Sequence, residues 1–230
     1  MANFSGTNGS DIIVGTSAND SFSGQAGEDI FTGEAGNDTL IGGAGDDTFT
    51  GDAGNDSLNG GSGSDTFTGD AGKDTLTGGA GKDILVGDFG SDKLSGGAGA
   101  DDFGFGAPNE GIDTITDFGV GDDRILVSAT GFGGGLKAGA AITAGQFKLG
   151  AAATDANDRF IYNKNSGALF FDVDGTGSKG QVQIATLTNK PQISNADIFV
   201  SSQNFSIQNN LTQGEIGGIN ELTNLLDNIF

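Results

Sequence analysis

The sequence predicts an all-β fold: a right-handed parallel β-roll, a solenoid of eighteen residues per turn, followed by a β cap and a short C-terminal helix. Three observations predict it. From Gly6 to Gly104 the chain repeats every nine residues, eleven times without a slip, and a fixed short period marks an array and not a closed globular core. Position eight of every copy is apolar. The copies also alternate between two types, which doubles the structural unit.

The copies are GTNGSDIIV, GTSANDSFS, GQAGEDIFT, GEAGNDTLI, GGAGDDTFT, GDAGNDSLN, GGSGSDTFT, GDAGKDTLT, GGAGKDILV, GDFGSDKLS and GGAGADDFG. Each divides into a turn, G-x-x-G-x-D, and a three-residue strand. Glycine suits a backbone that needs positive φ or close approach of another chain segment, and the central residue of a three-residue strand faces opposite to its two neighbours. Position eight, running Ile13, Phe22, Phe31, Leu40, Phe49, Leu58, Phe67, Leu76, Leu85, Leu94 and Phe103, is therefore the inward column. Positions seven and nine, mostly Thr, Ser or Asn in the middle copies, are outward sites on a solvated sheet.

From Gly42 onward, position two is Gly in odd copies but Asp in copies six, eight and ten. Position eight is Phe31, Phe49, Phe67 and Phe103 in odd copies against Leu40, Leu58, Leu76 and Leu94 in even ones. Two copies per turn explain both patterns: odd copies stack in one sheet and even copies in the other, with aromatic rings from one side packing on leucines from the other.

That coil sorts the position-six aspartates into two ladders. Asp11, Asp29, Asp47, Asp65, Asp83 and Asp101 lie on one edge; Asp20, Asp38, Asp56, Asp74 and Asp92 lie on the other. Strands stack about 4.8 Å apart, so successive carboxylates repel unless a cation sits between them. The chain has no His and no Cys, which removes the usual ligands of zinc, copper and iron–sulfur clusters. Carboxylates beside Gly-rich turns that offer carbonyls suit Ca²⁺, which accepts a mixed oxygen shell more readily than Mg²⁺. The gaps between neighbours number at most nine. Copy two carries Thr16 and Ala18, and copy one carries Thr7, so the first turn is expected to bind weakly or not at all. Residues 1–104 hold eighteen acids and three lysines, a net of −15; without metal such a roll repels itself, buries little and should not fold.

The nonapeptides resemble the GGxGxDxUx repeat of the RTX (repeats-in-toxin) family. The resemblance implies that calcium sits between stacked loops, held by the position-six aspartates and loop carbonyls, and that the roll folds when the secreted chain meets extracellular calcium. The segment Asp113-Thr-Ile-Thr-Asp-Phe-Gly-Val-Gly-Asp-Asp-Arg-Ile125 is similar to the passage that follows the roll in proteins such as the serralysin proteases. That similarity implies that Phe118 covers the last turn, with Asp117 and Asp123 read either as ligands of a terminal calcium or as solvated turn acids. Residues 159–187 resemble the antiparallel β cap that ends many bacterial RTX proteins.

Read from its own residues, the second half gives strands at 112–116 and 125–127 joined by a Gly/Asp turn, then a long loop over 128–157 with a strand at 146–149. A hairpin at 160–163 and 168–172 and strands at 182–187 and 198–200 follow. Asp172-Val-Asp174-Gly-Thr-Gly177 is a turn or a weak calcium loop; Gln183 stands where an EF-hand needs Glu. In the tail, Thr212 and Glu215 have capping-box spacing, and Ile216, Ile219, Leu222, Leu225, Leu226 and Ile229 share a helical face. The ending Asp227-Asn-Ile-Phe230 resembles that of proteins exported by type I secretion; the other reading is a helix that packs on the cap. The domains expected are the roll at 6–104, the cap at 105–200 and the tail at 201–230.

With 44 Gly and a net charge of −21 the chain lies outside ordinary globular statistics. Ten scattered Lys and Arg argue against nucleic acid and anionic membranes as partners. No apolar run is long enough to span a membrane, and the repeats start too near Met1 for an N-terminal signal peptide, so the expected location is extracellular, by a C-terminal signal. Without His there is no Ser-His-Asp triad, Cys-His pair or HExxH site, and the chain is not expected to be an enzyme. Three readings follow: a secreted calcium-binding protein with a structural role at the cell surface or in the matrix, where polysaccharide is a candidate partner; a folding and type I secretion module of a larger protein; and a ligand-binding solenoid for ice or glycan. Thr39, Thr48, Thr66 and Thr75 recur at position seven but divide between the two sheets, which disfavours ice.

Overall fold

The structure, a computed structural model, describes residues 1–203 and 205. Two large sheets run along the molecule, one of eleven strands and one of nine. The even copies enter the first and the odd copies the second. In the even sheet Phe22, Leu40, Leu58, Leu76 and Leu94 stand in parallel register, each eighteen residues from the last. In the odd sheet Ile13, Phe31, Phe49, Phe67, Leu85 and Phe103 do the same. The eighteen-residue turn expected from the alternation is thus the turn of the solenoid. A small third sheet joins Ala53–Gly54, Ala71–Gly72 and Phe89–Gly90 along the even edge.

The core is the pair of position-eight columns, and every member from Phe22 to Phe103 is at most 1% exposed. The rings stack chiefly along their own column. Phe31 and Phe49 lie 5.1 Å apart and Phe49 and Phe67 4.7 Å apart, their planes nearly parallel, a stacking the alternation did not predict, within one core that holds both the Phe and the Leu columns. Parallel in-register strands put identical rings about 4.8 Å apart, a spacing at which they make close face contact.

Parallel coiling also runs past both ends of the nonapeptides. Asn3–Ser5 pairs with Ser21–Ser23, placing Phe4 on Phe22 at 5.0 Å. After Gly104, Asp113–Ile115 joins the even sheet and Arg124–Ser128 the odd sheet. These two strands therefore lie in opposite sheets and are not a locally joined pair. Val182–Leu187 and Ile198–Ser201 extend the sheets again, also parallel. Among the described residues, antiparallel pairing comes only in the Phe160–Asn163 and Ala168–Phe171 hairpin, in its junction with Val182–Leu187, and where Ala140–Ala141 meets Ile198–Ser201. Phe132, Phe160 and Phe171 pack together beneath this cap, and Phe118 lies 5.9 Å from Phe103 at the roll's end.

Residues 128–157 contain the expected strand, at Phe147–Leu149, and more order than the long loop expected around it: a short helix at Ala129–Phe132 and a 3-10 turn at Ala144–Gln146. Among the described residues no helix is long and apolar enough to cross a membrane. The tail motifs from Thr212 to Phe230 lie outside the described residues.

Candidate metal centre

From Asp29 onward, each position-six aspartate divides its two oxygens between different tasks. Its Oδ1 accepts a hydrogen bond from the backbone N–H of the aspartate one turn earlier. On the odd edge Asp11, Asp29, Asp47 and Asp65 donate at 2.8 Å to the next rung, and Asp83 donates to Asp101 at 3.0 Å. On the even edge the same bonds link Asp20, Asp38, Asp56, Asp74 and Asp92 at 2.7 to 2.8 Å. The sequence placed the carboxylates in ladders but did not show this interturn bond.

The other oxygen has no protein partner. Oδ2 of Asp29, Asp47, Asp65, Asp83 and Asp101 on the odd edge, and of Asp38, Asp56, Asp74 and Asp92 on the even edge, is buried without a hydrogen bond. Nine orphaned anionic oxygens in one small protein demand a compensating group, because burying a charge unpaired costs far more than burying a neutral amide.

The position-one glycines define the space beside them. A Cβ on Gly33 would lie 2.7 Å from both Asp38 Oδ2 and the carbonyl oxygen of Gly51 in the next turn. A Cβ on Gly51 would lie 2.7 Å from Asp56 Oδ2 and 2.8 Å from the Gly69 carbonyl, and one on Gly69 would meet Asp74 Oδ2 and the Gly87 carbonyl at 2.7 and 2.9 Å. None of these glycines has positive φ, so the residue is required here for room. An orphaned carboxylate oxygen and a carbonyl oxygen converge on each atom-sized gap. Among the described residues no three acidic, His or Cys side chains surround one point. A cation held here therefore draws on backbone carbonyls as well as carboxylates, and that donor set fits a hard ion with a mixed oxygen shell, Ca²⁺ before Mg²⁺.

The electrostatics follow the same division. Burial, reinforced by neighbouring carboxylates, pushes Asp47, Asp56 and Asp83 up to about 6 and Asp65 and Asp74 up to about 7. Asp20 behaves in the opposite way. Its Oδ1 accepts from Ala2 N–H at 2.6 Å and its Oδ2 from the Thr16 backbone and hydroxyl at 2.8 and 2.7 Å, and these bonds, the Ala2 one foremost, lower its pKa. Thr7 gives Asp11 Oδ2 the same pair of bonds at 2.6 and 3.0 Å. The threonines at position two of copies one and two thus supply protein hydrogen bonds to the carboxylates of the first turn.

Beyond the nonapeptides the ladders gain one rung each. Asp92 N–H donates to Asp113 Oδ1 at 3.0 Å, and Asp101 N–H to Asp123 Oδ1 at 2.9 Å. Asp113 was not singled out by the sequence, although Gly111-Ile-Asp113-Thr-Ile115 keeps the G-x-D-x-U spacing after a three-residue insertion. Asp123 Oδ2 accepts from Gly119 N–H at 2.7 Å. Asp117 is not in a ladder: it accepts from the Ser95 hydroxyl and from the Gly96 and Gly97 amides, tying the last copies to the passage that follows. Asp172 Oδ1 accepts from the Asp174 and Gly175 amides at 3.2 and 2.9 Å, the bonds of an Asx turn.

The RTX calcium-binding nonapeptide repeat family matches the chain in four copies, at residues 5–40, 32–67, 41–76 and 77–107. Two solved structures are similar. The solution structure of the AlgE6R3 subunit of the Azotobacter vinelandii mannuronan C5-epimerase is 24% identical over 92% of this chain and 87% of that one, with a TM-score of 0.28. The extracellular lipase LipA of Serratia marcescens is 18% identical over 87% of this chain and 40% of that one, also with a TM-score of 0.28. No curated protein sequence matches significantly. Two stacked sheets of nonapeptide strands, an aspartate in every turn and the family match identify residues 5–107 as an array of RTX calcium-binding nonapeptide repeats.

Proposed function

We propose that this is an exported calcium-binding protein whose roll folds when Ca²⁺ enters the gaps between stacked loops, and which serves a structural role at the cell surface or in the matrix. The observation that carries the reading is the set of nine buried Oδ2 atoms, each beside a glycine-made gap. Asp29, Asp38, Asp47, Asp56, Asp65, Asp74, Asp83, Asp92 and Asp101 are the carboxylate ligands in this reading, with loop carbonyls completing each shell, for up to nine ions. Asp11 and Asp20 have the weakest claim because Thr7 and Thr16 already satisfy them. Bound Ca²⁺ supplies the positive charge that lets the two ladders stack at neutral pH. The chain contributes no catalytic step, since its ordered carboxylates are engaged in holding turns together.

Circular dichroism in EGTA and in CaCl₂ tests the folding claim. The expected result is a cooperative gain of β structure above about 0.1 to 1 mM Ca²⁺, the range of extracellular modules; identical spectra would remove the reading. Export is tested separately by deleting Leu222–Phe230, with loss of the protein from the medium expected and unchanged export counting against a C-terminal address.

A further inference from the structure

The two ends of the roll are finished differently. At the C-terminal end the core columns pass into Ile115 and Leu187 in one sheet and Ile125 and Ile198 in the other, all four fully buried. At the N-terminal end Asn3–Ser5 is the last strand of the eleven-stranded sheet and Ile12–Val14 the last of the nine-stranded one, and among the described residues no strand pairs with their outer edges. Phe4 and Ile13, the first members of the two columns, are only half-buried, whereas every member from Phe22 to Phe103 is at most 1% exposed. Among the described residues none before Asp20 is buried.

This end lacks the devices that keep exposed edges apart. Charged side chains, above all Lys, and Pro or a bulge on the terminal strand discourage pairing with a further strand. The chain has no Lys, Arg or Pro before Lys73, and both terminal strands keep regular register with their neighbours. The outer face beside the edge is apolar as well. Ile12 and Val14 are 64% and 52% exposed, at repeat positions where the middle of the same sheet carries Thr48 and Thr50, then Thr66 and Thr68.

Charge selects the partner. Of the chain's 31 acids only Asp11 lies in residues 1–19, and those residues hold no Lys or Arg. Neither Asp11 nor Asp20 is among the buried carboxylates without a partner, because Thr7 and Thr16 bond to them. A charged partner finds little to hold on this face. A second copy of the chain, acidic everywhere else, meets it here without bringing the two sets of ladders together.

We propose that the N-terminal end of the roll is a self-association surface, on which two copies of this chain dock end to end about a two-fold axis. The symmetry sets each terminal strand antiparallel to a strand of the other copy, so the backbone groups of the open edges pair and both sheets continue across the junction. Phe4 and Ile13 are then covered, and Ile12 and Val14 form apolar cross-strand pairs. Strands of three residues make a small interface, so the dimer is weak and concentration-dependent. The surface exists only in the folded roll and so rests on the calcium reading.

Sedimentation equilibrium of the full chain in saturating CaCl₂, over a wide range of concentration, tests the proposal, with circular dichroism of the same samples reporting the fold. The wild type is expected to show a reversible monomer–dimer equilibrium. The double variant Ile12→Lys, Val14→Lys sets like charges across the junction at side chains that are already exposed, and should weaken association about tenfold with β structure unchanged. The double variant Thr48→Lys, Thr50→Lys makes the same charge change at the same repeat positions in the middle of the sheet, and should dimerise as the wild type does. A wild type that stays monomeric with full β structure would overturn the proposal, as would equal weakening by both double variants or none by the first. Absence of β structure in CaCl₂ would remove the calcium reading of the roll, and this surface with it.

Discussion

The backbone N–H of Asp65 donates to Oδ1 of Asp83 across one turn at 2.8 Å, while Oδ2 of Asp83 is buried with no partner. One side chain thus staples two turns together and leaves an anionic oxygen in the gap. The two roles are separable by substitution, because one needs only an acceptor and the other needs charge.

Asp65→Asn keeps an acceptor for Asp47 N–H and removes the charge, whereas Asp65→Ala removes both. The Asn variant is expected to bind one Ca²⁺ fewer or more weakly, with the neighbouring rungs intact. The Ala variant should lose a further ~1–3 kcal/mol by leaving a buried N–H unsatisfied. Calcium titration and chemical denaturation in saturating CaCl₂ measure the two effects separately; equal behaviour of the two variants would remove the staple role.

The raised carboxylates fix the sign of the pH dependence. Their folded pKa values, about 6 for Asp47, Asp56 and Asp83 and about 7 for Asp65 and Asp74, exceed the ordinary 3.8. A carboxyl raised on folding favours the folded state most below its unfolded pKa, and that contribution is lost as pH rises through the folded value. In EGTA the roll is therefore expected to gain β structure on acidification from about pH 7 towards 4. In CaCl₂ the dependence reverses, since protons compete with the metal for the same oxygens. Circular dichroism across pH in the two buffers checks both halves.

Gly60→Ala should block a gap and leave the turn unable to relax, because the added methyl would meet Asp65 Oδ2 and the Gly78 carbonyl of the next turn. A loss of ~1–3 kcal/mol is expected from such overpacking, together with one bound ion. Gly180→Ala is the control: nothing lies within 4 Å of the added Cβ. Thermal unfolding of the two variants in CaCl₂ should separate them clearly.

Much of this was legible in the residues. The apolar position eight gave the inward column, and the Phe/Leu and Gly/Asp alternation gave two sheets and two ladders, because a solenoid maps each repeat position onto one spatial row. Thr7 and Thr16 marked the first turn as different, and the structure supplies the reason in their bonds to Asp11 and Asp20. Asp113 was missed because a three-residue insertion breaks the nine-residue count while the sheet register continues through Leu94 and Ile115. Asp117 was grouped with the terminal acids by its position in a motif, but its partners are the amides of Gly96 and Gly97.

The nine-residue period by itself determined the coil, its core and the identity of the repeated carboxylates, since these depend on residue spacing along the chain. Only the tertiary structure decided which oxygen of each aspartate is used, which glycines are there for space, and how Asp113 and Asp123 continue the ladders. Those properties depend on what the next turn or the returning chain places within about 3 Å, the length of a hydrogen bond, and the sequence order of residues eighteen or more apart does not specify that distance.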